Sequence, residues 1–281
     1  MTYEMFTSTG CARCKITKQY LKANDIPYVE HDFNGEGKEA FAGFYKANRK
    51  NIFRDQDGVE FPVFTDGNVI KQGVSIIIGH FASGDSLTGF ISRSSLHGEW
   101  IDGFNVSDGN PDQAEGLLTV LSHLKKHNLK IQLNSYGPNA DLLEKILKQG
   151  LGDRLIMEIK GPVGLYAALS GNKIDKEELI KSIRLANQFP EFELFTTITP
   201  LVRANGSVDF LTPEEIGETA KLIEEASHSK KNPYLLKVFD PETTDKDEFK
   251  SVESMATSSM FKYRTQARRY QVMTEIGNKE T

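Results

Sequence analysis

Between about Glu99 and Phe239, short strand-like segments alternate with longer amphipathic segments, and this alternation constrains the fold more than any other feature. Repeated strand–helix units build a parallel sheet. About five units indicate an open or partial (β/α) barrel of the TIM type rather than a closed one, with ligands at the carboxyl ends of the strands. The predicted strands are Trp100–Val106, Lys130–Asn134, Arg154–Ile159, Glu193–Thr199 and Tyr234–Phe239, and the helices between them are Pro111–Lys126, Ala140–Lys148, Lys176–Gln188 and Thr212–Ala226.

The first third of the chain has a different pattern. A strand over Thr2–Phe6, a helix over Cys11–Ala23 and a strand over Pro27–Phe33 complete a βαβ unit. The segments that follow are a helix over Gly37–Asn48, a strand over Val59–Thr65 that contains Pro62, a hairpin turn at Asp66-Gly67 and a last element around Ile76-Ile77-Ile78. Ser75 and Gly84 favour a short helix for this last element, whereas three consecutive isoleucines favour a strand.

These patterns predict an α/β protein with three parts. Residues 1–91 form the first domain, residues 92–245 form the partial barrel, and residues 246–281 contain a final long helix, roughly Asp247–Ile276.

The amino-acid composition and net charge limit the classes of binding partner. The chain of 281 residues is 38% hydrophobic and has a net charge of −5, which is ordinary for a globular protein and gives no basic footprint for nucleic acid. The basic residues Lys262, Arg264, Arg268 and Arg269 are more typical of a solvated helix face than of an anion site. No apolar run approaches the ~18 residues that span a membrane, and the N-terminus lacks the features of a signal peptide. We therefore expect a cytoplasmic protein with no membrane partner.

The only two cysteines, Cys11 and Cys14, form a Cys-Ala-Arg-Cys motif where a strand and a turn lead into a helix. Amide groups and the dipole at a helix N-terminus favour the thiolate form of the first cysteine, and Arg13 and Lys15 add positive charge. Cys11 is therefore the predicted attacking thiolate and Cys14 the resolving thiol, with Cys11 having the lower pKa. The alternatives are a zinc half-site, which would need further ligands, or an incidental motif.

Residues 2–91 resemble glutaredoxins and glutaredoxin-like proteins of the thioredoxin fold. The residues that carry the resemblance are Phe6-Thr7-Ser8-Thr9-Gly10-Cys11-Ala12-Arg13-Cys14-Lys15, Ile26-Pro27-Tyr28 and Phe61-Pro62-Val63-Phe64. The resemblance implies that Pro62 follows a cis peptide bond and faces the dithiol, and that the preceding backbone pairs with a substrate peptide. The chain has Ala-Arg between the cysteines instead of Pro-Tyr, and Gln72-Gly73 in place of the glycine pair that helps to hold glutathione. A protein disulfide is therefore the expected substrate, with thioredoxin reductase or another dithiol as reductant in preference to glutathione.

Residues 99–240 resemble the radical S-adenosylmethionine activating enzymes that install glycyl radicals. The residues that carry this resemblance are Asn105-Val106-Ser107-Asp108-Gly109-Asn110-Pro111, Leu133-Asn134-Ser135-Tyr136-Gly137, Leu142-Leu143-Glu144-Lys145 to Gly150-Leu151, Met157-Glu158-Ile159-Lys160-Gly161-Pro162 and Glu193-Leu194-Phe195-Thr196-Thr197-Ile198-Thr199-Pro200. That family holds a [4Fe–4S] cluster with three cysteines, and no cysteine follows Cys14 here. The acid of the cofactor motif is replaced in Asp108-Gly109-Asn110-Pro111, and an expected arginine is Phe195.

Two weaker candidates remain in this region. Glu158 and Lys160 match an acid and a lysine that contact the cofactor in the family, but a solvated ion pair at a strand end is an equal alternative. His123 and His127 have the i, i+4 spacing of metal ligands on a helix, yet they lack the acid of a zincin motif and are more typical of surface residues. We predict no metal and no cofactor.

The sequence thus favours a thiol–disulfide oxidoreductase module that reduces a partner protein, joined to a catalytically inactive radical-SAM-like barrel for targeting or ligand binding. The alternative is an accessory, maturation or redox-sensing protein that binds a larger anaerobic enzyme complex. A third hypothesis is new chemistry in the barrel mouth.

Overall fold

The computed structural model describes residues 3–56 and 58–277. The chain divides into two compact units, Met1–Gln132 and Leu133–Thr281. It is an α/β protein with one mixed sheet of four strands and one larger sheet of six, which confirms the predicted class. The domain limits predicted at residues 91 and 245 stay a prediction. Within the described ranges, no helix has both the length and the apolar character needed to cross a membrane.

The mixed sheet lies in the first unit and has the strand order β2-β1-β5-β6. Strand β1 pairs in parallel with β2 and antiparallel with β5, and β5 pairs antiparallel with β6. The predicted βαβ unit and hairpin are therefore confirmed, although Thr2 lies outside the described residues. The elements are β1 (Glu4–Thr7), α1 (Ala12–Ala23), β2 (Val29–Asp32), α2 (Lys38–Asn48), β3 (Arg54–Asp55), β4 (Gly58–Val59), β5 (Val63–Thr65), β6 (Ile70–Gln72) and α3 (Val74–Ser83).

The isoleucine run lies in helix α3, so the predicted short helix is confirmed and the strand alternative is wrong. Ile77 and Ile78 are buried while Ile76 is partly exposed, so the run packs on one side of a helix. The helix ends at Gly84, which has a φ of +62°. Glycine tolerates this region without the steric cost of a side chain, as the sequence predicted.

An aromatic core holds the mixed sheet against α2. Phe6, Phe41 and Val63 are almost completely buried in one cluster, and partly buried rings pack around them. The ring of Phe6 stacks on that of Phe44, with centroids 4.5 Å apart. Burial of such large apolar side chains is the main stabilising contribution in a unit of this size.

The first unit continues beyond residue 91. Strand β7 (Trp100–Asn105) is followed by a short 3₁₀ turn, Pro111–Gln113, and by α4 (Ala114–Lys126). An isolated antiparallel bridge joins Ile91 to Phe104. Strand β8 (Lys130–Ser135) begins at the end of this unit.

The larger sheet has the order β14-β13-β10-β9-β8-β7, so its neighbours follow one another along the chain. The pairs β9/β10, β10/β13 and β13/β14 are parallel. The elements of the second unit are α5 (Ala140–Lys148), β9 (Arg154–Glu158), α6 (Tyr166–Ser170), α7 (Lys176–Ala186), β10 (Glu191–Ile198), β11 (Pro200–Val202), β12 (Val208–Phe210), α8 (Pro213–Ser227), β13 (Tyr234–Val238), α9 (Met260–Ala267) and β14 (Thr274–Ile276).

Burial alternates along the parallel strands of the second unit. In β10, Leu194, Thr196 and Ile198 are buried, whereas Phe195 and Thr197 between them are partly exposed. The same alternation occurs in β9 and β13. One sheet face therefore contributes to the core, and the other presents a mixture of apolar and charged side chains.

The prediction of one long C-terminal helix over Asp247–Ile276 is wrong. Only Met260–Ala267 forms an α-helix, and Thr274–Ile276 adds a strand to the sheet, with Thr274 opposite Tyr234. Serine and threonine are frequent between residues 251 and 259 and compete with helical hydrogen bonds through their hydroxyls. The Ser254 hydroxyl, for example, donates to the carbonyl of Phe239 at 3.1 Å.

A buried hydroxyl chain in this sheet gives a stability prediction. The hydroxyl of Tyr234 donates to Thr196 Oγ1 at 2.8 Å, and Thr196 Oγ1 donates to the Ile159 carbonyl at 2.5 Å. Thr196→Val should lower the free energy of unfolding by about 1–3 kcal/mol because it leaves the buried Tyr234 hydroxyl without this acceptor.

Tyr234→Phe is the matched control, since it removes the same hydrogen bond together with its donor, and it should cost only about 1 kcal/mol. Urea unfolding of both variants measures the difference. A larger loss for Tyr234→Phe than for Thr196→Val would contradict the prediction.

Candidate functional site

The Cys11-Ala12-Arg13-Cys14 motif lies at the N-terminus of α1. The two Sγ atoms are at disulfide distance, and the Cα atoms are 5.3 Å apart. Cys11 is the N-cap residue of the helix, and its sulfur accepts a hydrogen bond from the Cys14 amide at 3.1 Å. Cys11 is partly exposed, whereas Cys14 is only 1% exposed. The pair thus has one accessible sulfur and one buried sulfur.

The loop before Cys11 is fixed by β2. Asp32 accepts hydrogen bonds from the Thr9 hydroxyl, the Thr9 amide and the Asn34 amide. The hydroxyl of Thr9, followed by the Asn34 amide, lowers the pKa of the Asp32 carboxyl below its ordinary value. Gly10, with a φ of +82°, then turns the chain into α1. These contacts set the position of Cys11 before the helix begins.

Pro62 follows a cis peptide bond, as the glutaredoxin resemblance implied. The carbonyl oxygen of the preceding residue, Phe61, lies 3.8 Å from Cys11 Sγ. Phe61 is partly exposed, and its ring lies 5.6 Å from the ring of Phe33 and 5.1 Å from that of Phe41. The backbone before Pro62 therefore lies beside the accessible sulfur, while the Phe61 ring packs against the aromatic core.

Arg13 does not point into solvent as a free positive charge beside the thiols. Its side chain is 13% exposed, and its guanidinium lies 3.4 Å from Glu60 Oε1. It also donates to the backbone carbonyls of Leu96 and Trp100, the latter at 3.2 Å. Burial lowers the pKa of Arg13 and raises that of Glu60, while their mutual attraction acts in the opposite direction for each group.

The backbone that Arg13 contacts belongs to residues 92–100, which we call the strap. Asp102 organises it by accepting hydrogen bonds from the Ser94 hydroxyl, the Ser95 amide, the Ser95 hydroxyl and the Leu96 amide, at 2.6–3.0 Å. Arg93 of the strap lies 3.8 Å from Glu60 Oε2 and stacks over the Phe53 ring at 3.4 Å. Glu60 and the strap were not predicted from the sequence, because their contacts with Arg13 join distant parts of the chain, and Asp102 was not predicted either.

Glu158 and Lys160 form an ion pair at the end of β9. Their side chains are 18% and 25% exposed, so the pair is largely buried rather than fully solvated. Lys160 Nζ also lies 5.5 Å from the centre of the Tyr136 ring. The Tyr166 hydroxyl donates to the Tyr136 carbonyl at 3.0 Å and accepts from the Lys160 amide at 3.2 Å. Whether Glu158 and Lys160 bind a ligand stays a prediction.

His123 and His127 pack within the first unit. His123 Nε2 lies 3.2 Å from the Ile16 carbonyl, and its ring packs edge-on against Tyr20. Burial lowers the pKa of His123. Residues 3–56 and 58–277 contain no group of three His, Cys, Asp or Glu side chains arranged to hold a metal ion. The sequence favours surface positions for the two histidines; both are partly exposed, and His123 also packs against α1.

Comparison with protein-family models and with curated proteins found no match to this chain. The class that the structure defines is an α/β protein whose first unit carries a Cys-X-X-Cys pair at a helix N-terminus.

The geometry predicts which reduced cysteine reacts first. Cys11 is accessible and its sulfur accepts an amide hydrogen bond at the positive end of α1, so Cys11 should be alkylated at least about tenfold faster than Cys14 near neutral pH. Iodoacetamide labelling of the reduced protein, followed by peptide mass spectrometry, measures both rates. Single Cys11→Ser and Cys14→Ser variants give the reference rates, and faster labelling of Cys14 would reverse the assignment.

Proposed function

We propose that the protein is a glutaredoxin-like thiol–disulfide oxidoreductase that reduces a disulfide on a partner protein. The observation that carries the proposal is the Cys11–Cys14 pair at disulfide distance, with Cys11 accessible at a helix N-terminus and Cys14 buried behind it. A pair with these unequal exposures suits two successive exchange steps.

The topology of the first unit supports a thioredoxin-type fold for residues 1–91. A parallel βαβ unit is followed by an antiparallel hairpin and a helix, in the sheet order β2-β1-β5-β6. The dithiol follows the first strand of this unit, and the loop before Pro62 lies beside it. Both features are those that the resemblance to glutaredoxins implies.

The reaction is an exchange of two electrons between two sulfur pairs. The Cys11 thiolate attacks one sulfur of the substrate disulfide, whose S–S bond breaks, and the departing thiolate takes up a proton. The Cys14 thiol then loses its proton and attacks the Cys11 sulfur of the mixed disulfide. The second substrate thiol leaves, and the Cys11–Cys14 disulfide remains. A dithiol reductant, for which we propose thioredoxin reductase or a protein of similar chemistry, returns the pair to the reduced state.

We propose that the larger sheet belongs to a partial radical-SAM-like barrel that carries out no radical chemistry. Sequential parallel strands support a barrel of this type. The chain has no cysteine beyond Cys14 to bind a cluster, and Phe195 stands where the family has an arginine. We propose that this part recognises the partner or a ligand, and that the protein works in the cytoplasm.

Insulin reduction tests the oxidoreductase. With thioredoxin reductase and NADPH, the wild-type protein should turn over insulin disulfides, and Cys11→Ser should abolish turnover because the attacking sulfur is lost. Cys14→Ser should instead accumulate a mixed disulfide that mass spectrometry detects. Lys22→Ala, an exposed change on the same helix, is the control and should retain full activity.

Absence of turnover with every dithiol reductant would reject the proposed activity. A stable complex with a partner that forms equally well in Cys11→Ser would favour the accessory or redox-sensing alternative.

The barrel assignment predicts that anaerobic reconstitution with iron and sulfide yields no [4Fe–4S] cluster and no reductive cleavage of S-adenosylmethionine, because the ligand thiolates are missing. Electron paramagnetic resonance and product analysis measure these outcomes. The Cys11→Ser, Cys14→Ser double variant controls for iron bound by the dithiol. A cluster that persists in the double variant, or micromolar S-adenosylmethionine binding that Lys160→Ala abolishes, would show that the barrel is active.

A further inference from the structure

Helix α9 has a buried side and an exposed side. Met260, Tyr263 and Ala267 are buried, and their i, i+3, i+7 spacing places them on one face of the helix. The other side, together with the two residues that follow the helix, carries one aromatic ring and four cations. These residues, which we call the basic patch, are Phe261, Lys262, Arg264, Arg268 and Arg269. The sequence favours a solvated face for the cations, and the structure adds the exposed ring among them.

The cations of the basic patch have no carboxylate partner among the residues that the structure describes. By contrast, Lys230, which follows α8, lies 3.5 Å from Glu224. Between Phe261 and Thr274 the chain contains no acidic residue, although its net charge is −5. Arg268 Nε donates to the Thr274 carbonyl at 2.9 Å, which fixes the guanidinium without neutralising its charge. The patch is therefore a local excess of positive charge that is partly ordered in advance.

Phe261 is the only aromatic ring among the large apolar side chains that stay exposed in the described ranges, and it is 52% exposed. The guanidinium carbon of Arg264 lies 5.1 Å from the centre of this ring. Single exposed apolar side chains are common on protein surfaces and need no explanation. An aromatic ring beside cations that lack carboxylate partners, however, offers an apolar contact and charged contacts at the same place on the surface.

The surface beside the basic patch is acidic. Helix α8 packs against α9, and a side chain at Gly217 would come within 3.7 Å of Gln266 Cβ. Glu214 and Glu218, on either side of Gly217 in the sequence, are exposed. A ligand whose negative charge extends beyond the patch, such as a nucleic acid or an anionic bilayer, would therefore meet carboxylates. A short acidic segment can end at this border, so it fits the patch better.

We infer that the basic patch binds an acidic segment of a partner protein that also carries an apolar side chain. Carboxylates of the segment pair with Arg264 and Arg268, since a guanidinium can donate two parallel N–H bonds to a carboxylate. The apolar side chain covers the ring of Phe261 and removes apolar surface from water. This inference rests on the recognition role proposed for the second unit, and it requires no exchange reaction at the dithiol. Because the cations are exposed, binding is sensitive to salt.

Fluorescence anisotropy with the full-length protein tests the inference. Three blocked, fluorescein-labelled peptides of equal length are compared. In the acidic peptide, Glu alternates with Leu and Phe. In the second peptide Gln replaces every Glu, and in the third peptide Ser replaces every Leu and Phe. Titration of the protein into each peptide, at low and at high ionic strength, gives the dissociation constants.

The acidic peptide should bind at least about tenfold more tightly than the Gln peptide, because two exposed ion pairs contribute about that factor, and high ionic strength should remove most of the difference. It should also bind at least about threefold more tightly than the Ser peptide. The Arg264→Gln, Arg268→Gln double variant should reduce the first preference to about twofold or less. Phe261→Ser should abolish the second preference, and Phe261→Leu should retain most of it. The Lys46→Gln, Lys50→Gln double variant removes the same charge from exposed positions in and after α2 and is the matched control.

Equal affinity for the acidic and Gln peptides would overturn the inference, and so would an equal loss of affinity in the matched control. Tighter binding of a single-stranded oligonucleotide, or of vesicles that contain phosphatidylserine, would overturn it as well. Far-UV circular dichroism establishes that each variant is folded. Insulin turnover is measured separately: if the peptides bind as expected but insulin is not reduced, only the proposed oxidoreductase function fails. If insulin is reduced but the acidic peptide does not bind, only the role of the basic patch fails.

Discussion

The hydrogen bond from the Cys14 amide to Cys11 Sγ determines the arrangement of the dithiol site. It caps α1, so the contact that begins the helix also positions the accessible sulfur over the unsatisfied amides of the first turn. The three-residue spacing then places Cys14 in the first turn, where it is buried. The start of the helix and the cysteine pair are therefore the same local structure.

The two residues between the cysteines lie in different environments. Ala12 is exposed, whereas Arg13 turns toward Glu60 and the strap. The sequence suggested that Arg13 contributes positive charge to the thiolate, but a guanidinium paired with a carboxylate contributes much less. Amide groups and the helix dipole are then the principal stabilisation of a Cys11 thiolate. The positive charge of Arg13 acts instead on the strap carbonyls and on Glu60. It offsets the cost of burying the Glu60 carboxylate, whose Oε2 has no hydrogen-bond partner among the described residues.

Local patterns predicted the elements whose stability depends on local periodicity. The βαβ unit, the hairpin and the parallel strands were predictable because their apolar residues recur with period two or about 3.6. The position of Cys11 and Cys14 at a helix N-terminus was predictable because it depends on one turn of one helix. The strap was not, because Arg13 and Leu96 are far apart in sequence and their contact uses a backbone carbonyl, which leaves no residue pattern. Strand β14 was missed, although Val272, Thr274 and Ile276 are β-branched residues with the period-two spacing of a strand.

The second unit combines a conventional core with an unusual polar strand end. Lys160 and Glu158 neutralise each other in a largely buried position, and the ring of Tyr136 lies near the ammonium group. An anionic ligand at this end of β9 would have to compete with Glu158 for Lys160, because removing one partner of a buried pair leaves the other uncompensated. Glu158 and Lys160, which match cofactor-contacting residues in the resemblance, thus neutralise each other in the absence of a cofactor. A ligand that binds here must either bridge both charges or supply a second cation for Glu158, which favours a zwitterionic group over a simple anion.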